Sequence, residues 1–322
     1  MNTSALRRAA AAVLVALASA SCAADLASPE RGADAPPEDD RILAQAAPTC
    51  ASARLTPGDQ RGTLQHGGRA RTYLLHVPPN LKAGTAAPLV IDMHGFSRTA
   101  ASQRSGSGWN AVSDREGFLV VYPEGIGNSW NLGGCCGTAF NSNVDDLGFL
   151  RALIAKLTAE ACVDRERVYA SGVSNGAGMT GRLSCDAADV IAGVSLVSSD
   201  LRTSPCKPVR PITEIAFRGT ADTLEPYEGG LVGPPGGQYQ SPGARGSFEL
   251  YRKLNQCTGT PTTTAKHCES YTQCAEGVEV TLCTLPGVGH SAYTNRIGVD
   301  IAQVSWDAFE RAPRRAAAPA GP

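Results

Sequence analysis

The 322-residue sequence predicts an α/β fold built on one doubly wound, mainly parallel sheet. Three observations carry that expectation. Apolar, strand-like runs alternate with helix-like segments, and a repeated β-then-α order favours parallel strands joined by crossover helices. Residues 88–93 and 118–122 are apolar at nearly every position, as strands covered on both faces are. Residues 167–179 pass from a β-branched segment through Gly172-Val173-Ser174-Asn175-Gly176 into helix-compatible sequence, the strand–turn–helix pattern of a nucleophile elbow.

The elements follow in order. Residues 72–77 alternate like a strand and end at a proline pair, and 88–93 form the first buried strand. A short helix over 109–116 is closed by Gly117, and the strand 118–122 is stopped by Pro123. A firm helix over 143–161 places Leu150, Leu153, Ile154 and Leu157 at helical spacing, with Asp145 and Asp146 near its start where acids suit the dipole. Residues 168–173 lead into the elbow. Strands over 191–197 and 212–217 follow, then a Gly/Pro loop, a helix over 247–255 and a strand over 278–285. A closing helix carries Ile301, Val304 and Ala308 on one face.

The flanks differ from this core. Arg7-Arg8 and the apolar stretch from Ala9 to Ala20 read as a signal peptide over 1–21, too short to span a bilayer. Cys22 adds a second expectation, a lipid anchor after cleavage, although Ser19 stands where that pattern prefers a Leu-like residue. Residues 22–49 are Ala-, Pro-, Asp- and Glu-rich and read as a disordered linker; 313–322 read as a disordered tail. One catalytic domain over 50–312 remains. A net charge of −1 gives no basic field for nucleic acid. Ten cysteines beyond Cys22 suggest up to five disulfides in an exported chain, with connectivity open. No Cys-x-x-Cys pair exists, and His267-Cys268 beside Cys274 lacks zinc-site spacing, so no metal is expected.

A nucleophile elbow calls for a base, an orienting acid and oxyanion donors. In an α/β-hydrolase the chain order is Ser, acid, His, which restricts the base to His267 or His290. His267 lies in a Thr-, Lys- and Cys-rich loop. His290 follows the last strand in a glycine-rich loop able to return over the elbow, and is the expected base. Asp222, in the loop after 212–217, is the expected acid, with Asp200 and Glu225 as competitors. The oxyanion donors would be the backbone N–H groups of Asn175 and Phe96, the latter in His94-Gly95-Phe96 after the first buried strand. The His94 side chain is expected to bond within its own turn. No cofactor is needed for this chemistry.

Several stretches together resemble the secreted esterases grouped with polyhydroxybutyrate depolymerases, feruloyl esterases and acetyl-xylan esterases. They are Met93-His-Gly95, residues 114–125, Trp130-Asn-Leu-Gly-Gly-Cys-Cys-Gly137, residues 144–149, residues 167–179, Gly219-Thr-Ala-Asp222, Pro226-Tyr-Glu-Gly-Gly230 and Gly289-His290. The resemblance covers about 71–290 and implies an α/β-hydrolase whose triad falls on Ser174, Asp222 and His290. It implies ester hydrolysis on plant polysaccharide first and polyhydroxyalkanoate second; a catalytically silent carbohydrate binder is the rival from another class. Three departures stand where selectivity would be read: Arg218 for the usual His, Glu225 for an apolar residue, and Gly289-His290-Ser-Ala-Tyr293 without the His-x-Trp-Pro ending. Arg218 and Glu225 are expected either to shape the pocket or to pair on the surface. Trp130 and Tyr227 are candidate substrate contacts, with a core or anchoring role as the alternative for each.

Overall fold

In the computed structural model the described residues are 55–313, apart from 83, 202–204 and 234–237. The stretches expected as signal peptide (1–21) and linker (22–49), with Cys22, and Cys50 and the residues beyond Pro313 lie outside them.

The sheet is assembled from β1 (Gly58–His66), β2 (Arg69–Val77), β3 (Ala87–Met93), β4 (Leu119–Pro123), β5 (Val163–Val173), β6 (Gly193–Val197), β7 (Thr213–Gly219), β10 (Thr262–Ala265), β11 (Cys268–Tyr271) and β12 (Val280–Leu285). A separate hairpin holds β8 (Gly230–Val232) and β9 (Tyr239–Ser241). The strand order is β1-β2-β4-β3-β5-β6-β7-β12-β11-β10. The six strands from β4 to β12 pair in parallel, and antiparallel strands close both margins. Every residue of β3, β4, β6 and β7 is buried, as expected for strands covered on both faces. Of the antiparallel margins, β2 matches the strand expected over 72–77, whereas β1, β10 and β11 leave no such run. β1 alternates exposed and half-buried residues and carries Leu64 as its one large apolar side chain, so no buried run marks it.

The helices are α1 (Ala100–Gly106), α2 (Trp109–Glu116), α3 (Gly137–Asn141), α4 (Asp146–Glu160), α5 (Asn175–Asp186), α6 (Gly243–Leu254) and α7 (Ile301–Arg311). α2 stops at Gly117 in the left-handed region at φ 80°, the conformation a glycine adopts without a Cβ clash. The two acids at the start of α4 divide the work. The Asp145 carboxylate caps the helix by accepting the Gly148 N–H at 2.9 Å, while Asp146 turns inward and accepts from Arg71 at 2.7 Å. One face of the sheet packs a mostly aliphatic layer against α4, α5 and α6, including Leu150, Leu153 and Leu183, with Phe248 among its aromatic members. The other packs aromatic side chains of α2 and α7, with Phe118 just before β4: Trp109 and Phe309 are parallel within 4°, and Phe118 stacks on Trp306 with centroids 3.9 Å apart. Val304 is only half-buried; the inner face of α7 is carried by Ile301, Ala302, Trp306 and Phe309.

Among the described residues four disulfides are formed, Cys135–Cys136, Cys185–Cys206, Cys257–Cys274 and Cys268–Cys283. The last joins register partners on β11 and β12 and staples the added margin to the parallel core. The ends of β3, β5, β7 and β12 all open on one rim of the sheet, the usual ligand edge of an open α/β sheet.

Candidate active site

At the end of β5 the chain turns through Ser174 at φ 55° and ψ −118°, a region that non-glycine residues avoid, and enters α5 at once. The flanking glycines make that turn possible. A Cβ on Gly172 would lie 2.6 Å from the Gly176 backbone, and one on Gly176 would collide with the Met93 carbonyl of β3. The Ser174 N–H is held by the Val197 carbonyl at 2.9 Å, which ties the turn to β6.

The loops after β7 and β12 bring two more predicted residues to this turn. His290 Nε2 lies 2.9 Å from Ser174 Oγ, and His290 Nδ1 lies 2.8 Å from Asp222 Oδ2. The other carboxylate oxygen, Oδ1, accepts the N–H groups of Leu224 and Glu225, both at 2.9 Å. With the Asp222 carboxylate as acceptor at Nδ1, the imidazole donates its Nδ1–H to Oδ2 and leaves Nε2 to accept from the serine hydroxyl. Gly219 lets the two loops meet: a Cβ there would lie 2.7 Å from the Val288 carbonyl carbon, and the Ala221 N–H donates to the Val288 carbonyl at 3.0 Å. His267 is exposed in the turn between β10 and β11, at a sheet margin four strands from β5.

Beside the elbow, a Cβ on Gly95 would sit 3.3 Å from the Val173 carbonyl oxygen and 3.5 Å from Ser174 Cβ. The Gly95–Phe96 peptide therefore borders the serine. Its orientation comes from His94, which is fully buried. His94 Nε2 accepts the Gly125 N–H at 3.0 Å, so Nδ1 carries the proton and donates to the Gly95 carbonyl at 2.9 Å. Burial lowers the His94 pKa and keeps the ring neutral, as this arrangement needs. In a trans peptide the N–H opposes the C=O, so fixing the Gly95 carbonyl on His94 turns the Phe96 N–H the other way. The Asn175 N–H is at the first turn of α5, where intrahelical partners are lacking. The Asn175 side chain is clamped by Trp130, accepting its N–H at 2.7 Å and donating to its carbonyl at 3.2 Å.

Ser174 opens into a cleft of about 460 Å³ lined by Phe96, the Cys135–Cys136 pair, Leu224, Leu231 and Tyr239, among others. Neither expected aromatic contact is there. Trp130 is fully buried behind the site, its indole N–H donating to the His94 carbonyl at 2.9 Å, so it anchors its loop. Tyr227 is half-buried, and its hydroxyl pairs with Thr284 at 2.7 Å. Arg218 and Glu225 are not a surface pair. Arg218 is fully buried, pairs with Asp200 and donates to the Glu225 and Pro226 carbonyls at 2.8 and 3.2 Å. The Glu225 carboxylate instead accepts from the Tyr239 hydroxyl at 2.5 Å. Tyr239 gave no signal in the sequence, because it sits on a three-residue strand after a Gly/Pro loop. Its place is set by the β8–β9 hairpin.

The sequence profile described as esterase PHB depolymerase matches residues 71–206. A protein of Nocardia uniformis subsp. tsuyamanensis described as "Putative esterase NocK" is 33% identical over 245 residues, covering 71% of this chain and 67% of that protein. The chain belongs to the esterase PHB depolymerase family. Within the family's reach, feruloyl esterase B of Piromyces equi is 36% identical over 71% of this chain and 44% of its own length. The bifunctional acetylxylan esterase/xylanase XynS20E of Neocallimastix patriciarum is 29% identical over 70% of this chain and 31% of its own length. The chain thus spans less than half of either of those two relatives. The acetyl xylan esterase from Aspergillus awamori shares the fold, with TM-score 0.56 at 14% identity over 79% of this chain and all of that one.

Proposed function

We propose that this chain is a serine carboxylic-ester hydrolase. The observation that carries the reading is the unbroken hydrogen-bonded line from Asp222 through His290 to Ser174 on a strained elbow. Ser174 Oγ attacks the ester carbonyl while His290 Nε2 takes its proton. Negative charge collects on the former carbonyl oxygen, where the Phe96 and Asn175 N–H groups receive it, aided by the N-terminal end of α5. Collapse expels the alcohol, protonated by His290, and leaves an acyl-serine. Water then attacks that acyl group with His290 as base, and the carboxylic acid leaves. Asp222 holds the imidazole tautomer and stabilises the imidazolium.

The favoured substrates are feruloyl or related ester side chains of plant polysaccharide, a reading supported by the names of the Piromyces and Neocallimastix relatives and by the apolar cleft. The family description supports hydroxybutyrate esters as the second reading. A silent carbohydrate binder would have no need of the aligned triad. The oxidised cysteine pairs support an exported protein. The mass of the mature N-terminal peptide reads whether Cys22 carries lipid.

The decisive test is fluorophosphonate labelling followed by peptide mass spectrometry, together with p-nitrophenyl acetate turnover by Ser174→Ala. We expect the label on Ser174 and a loss of kcat of about 10⁴-fold or more in the variant. A folded wild-type protein that takes no label, or takes it elsewhere, refutes the assignment.

A further inference from the structure

Between β4 and α3 the chain runs Asn131-Leu-Gly-Gly-Cys-Cys-Gly137 along one side of the cleft. Its start is fixed: the Asn131 N–H donates to the buried Asp146 carboxylate at 2.8 Å, and its side-chain amide donates to the Val144 carbonyl at 3.0 Å. Its end is fixed by α3. The middle is different. Gly133 and Gly134 are exposed and a side chain on either would meet open space; the Gly133 N–H donates to Asn131 Oδ1 at 3.1 Å. The Leu132 N–H closes the turn on the Cys135 carbonyl at 3.2 Å, and the Cys135–Cys136 disulfide follows directly. Both cysteines line the cleft with Ser174. The Gly137 position abuts the Phe96 ring, where a Cβ would come 2.5 Å from Cε2. The half-exposed Phe96 side chain therefore rests against this segment, while Leu224 and Leu231, 64% and 63% exposed, face the same cleft.

We propose that the vicinal Cys135–Cys136 disulfide is a specificity-determining wall of the acyl pocket, presenting with Phe96 a rigid apolar surface to a flat acyl group. The inference rests on the ester-hydrolase reading and adds to it the element that selects the acyl chain. Sulfur is polarisable and contacts aromatic rings favourably. A wall ordered in advance by a covalent link also spares the substrate the entropic cost of ordering a diglycine loop. A small acyl group such as acetyl would reach Ser174 without touching this wall and gain nothing from it.

The test compares methyl ferulate with methyl acetate, which share a leaving group, in the full-length protein and its Cys135→Ala/Cys136→Ala variant, with thermal unfolding as the folding control. We expect kcat/KM for methyl ferulate to fall by about tenfold or more, mainly through KM, and that for methyl acetate by less than about threefold. Equal losses on both esters would mean that the segment only braces the Phe96 amide, and would overturn the proposal, as would no loss on either. Should the double variant fail to fold, ferulate affinity is measured by calorimetry on Ser174→Ala before and after mild phosphine reduction, with alkylation mapped to Cys135 and Cys136. A roughly tenfold weaker affinity supports the wall; an unchanged one overturns it. Free thiols at both positions in the untreated protein also overturn it. A folded wild type inert toward both methyl esters and p-nitrophenyl acetate would instead sink the ester-hydrolase reading itself.

Discussion

Asp200 and Asp222 follow neighbouring parallel strands, β6 and β7, on the same rim of the sheet, and both are buried. Their partners differ. Asp222 accepts two backbone N–H groups of its own loop and turns its second oxygen to His290. Asp200 is taken up by the Arg218 guanidinium and the Ser241 hydroxyl. Burial lowers the Arg218 pKa to about 10, and the nearby Asp222 carboxylate opposes that fall, so the guanidinium stays charged at neutral pH. Two carboxylates of the same type, one strand apart, thus divide into one that can orient a base and one that neutralises a buried cation. Proximity to the rim does not make an acid functional; what its oxygens are already bonded to does.

The sharpest way to break this contrast is Asp222→Asn. It keeps the shape but removes the acceptor that holds the His290 tautomer, and kcat on p-nitrophenyl acetate should fall by roughly 10⁴-fold with stability changed far less. Retained turnover would move the acid to another residue. Asp200→Asn should do the opposite. It removes the carboxylate paired directly with the buried Arg218 and leaves only the charge of Asp222 nearby, so unfolding free energy should drop by about 3–5 kcal/mol while kcat per folded molecule stays within about tenfold. Chemical denaturation and active-site titration read the two quantities separately.

A third buried acid sharpens the comparison through pH. Asp92, near the end of β3, is fully buried and accepts from Gln103 Nε2 at 3.0 Å on both oxygens. Burial raises its pKa to about 7. The native state therefore holds a proton that the unfolded chain has released between about pH 4 and pH 7, so this group lowers stability as pH rises through that window. Asp92→Asn cannot ionise. The stability of wild type relative to this variant should decline by roughly 2–4 kcal/mol from pH 4 to pH 7, measured by urea unfolding at each pH. A parallel pair of profiles would show that Asp92 titrates normally. The smallest effect belongs to Tyr227→Phe, which should cost about 1 kcal/mol for the lost bond to Thr284 and leave acyl-group preference within about twofold. A changed preference would return Tyr227 to the cleft.

That Ser174, Asp222 and His290 come together was legible in the sequence because each rests on local chemistry plus order. The Gly-x-Ser-x-Gly spacing marks the elbow, buried strands mark where loops emerge, and only two histidines follow the serine. The central strands β3, β4, β6 and β7 were legible for the same reason: burial on both faces leaves a continuous apolar run. The margins β1, β10 and β11 were not, since half-exposed antiparallel strands leave none.

The sequence by itself singled out Ser174, His290 and the loop of Asp222 as the residues that meet at the elbow, and set the α/β order of the core. Tertiary structure decided everything that depends on which way a side chain turns. It buried Trp130 behind the elbow, sent Tyr227 to Thr284, gave Arg218 to Asp200 and brought Tyr239 and the Cys135–Cys136 pair to the cleft. The physical reason is that strand, turn and helix propensities act over a few neighbouring residues. A pocket wall is a surface made of distant segments, and its members are chosen by packing and by competition for hydrogen-bond partners that no local pattern records.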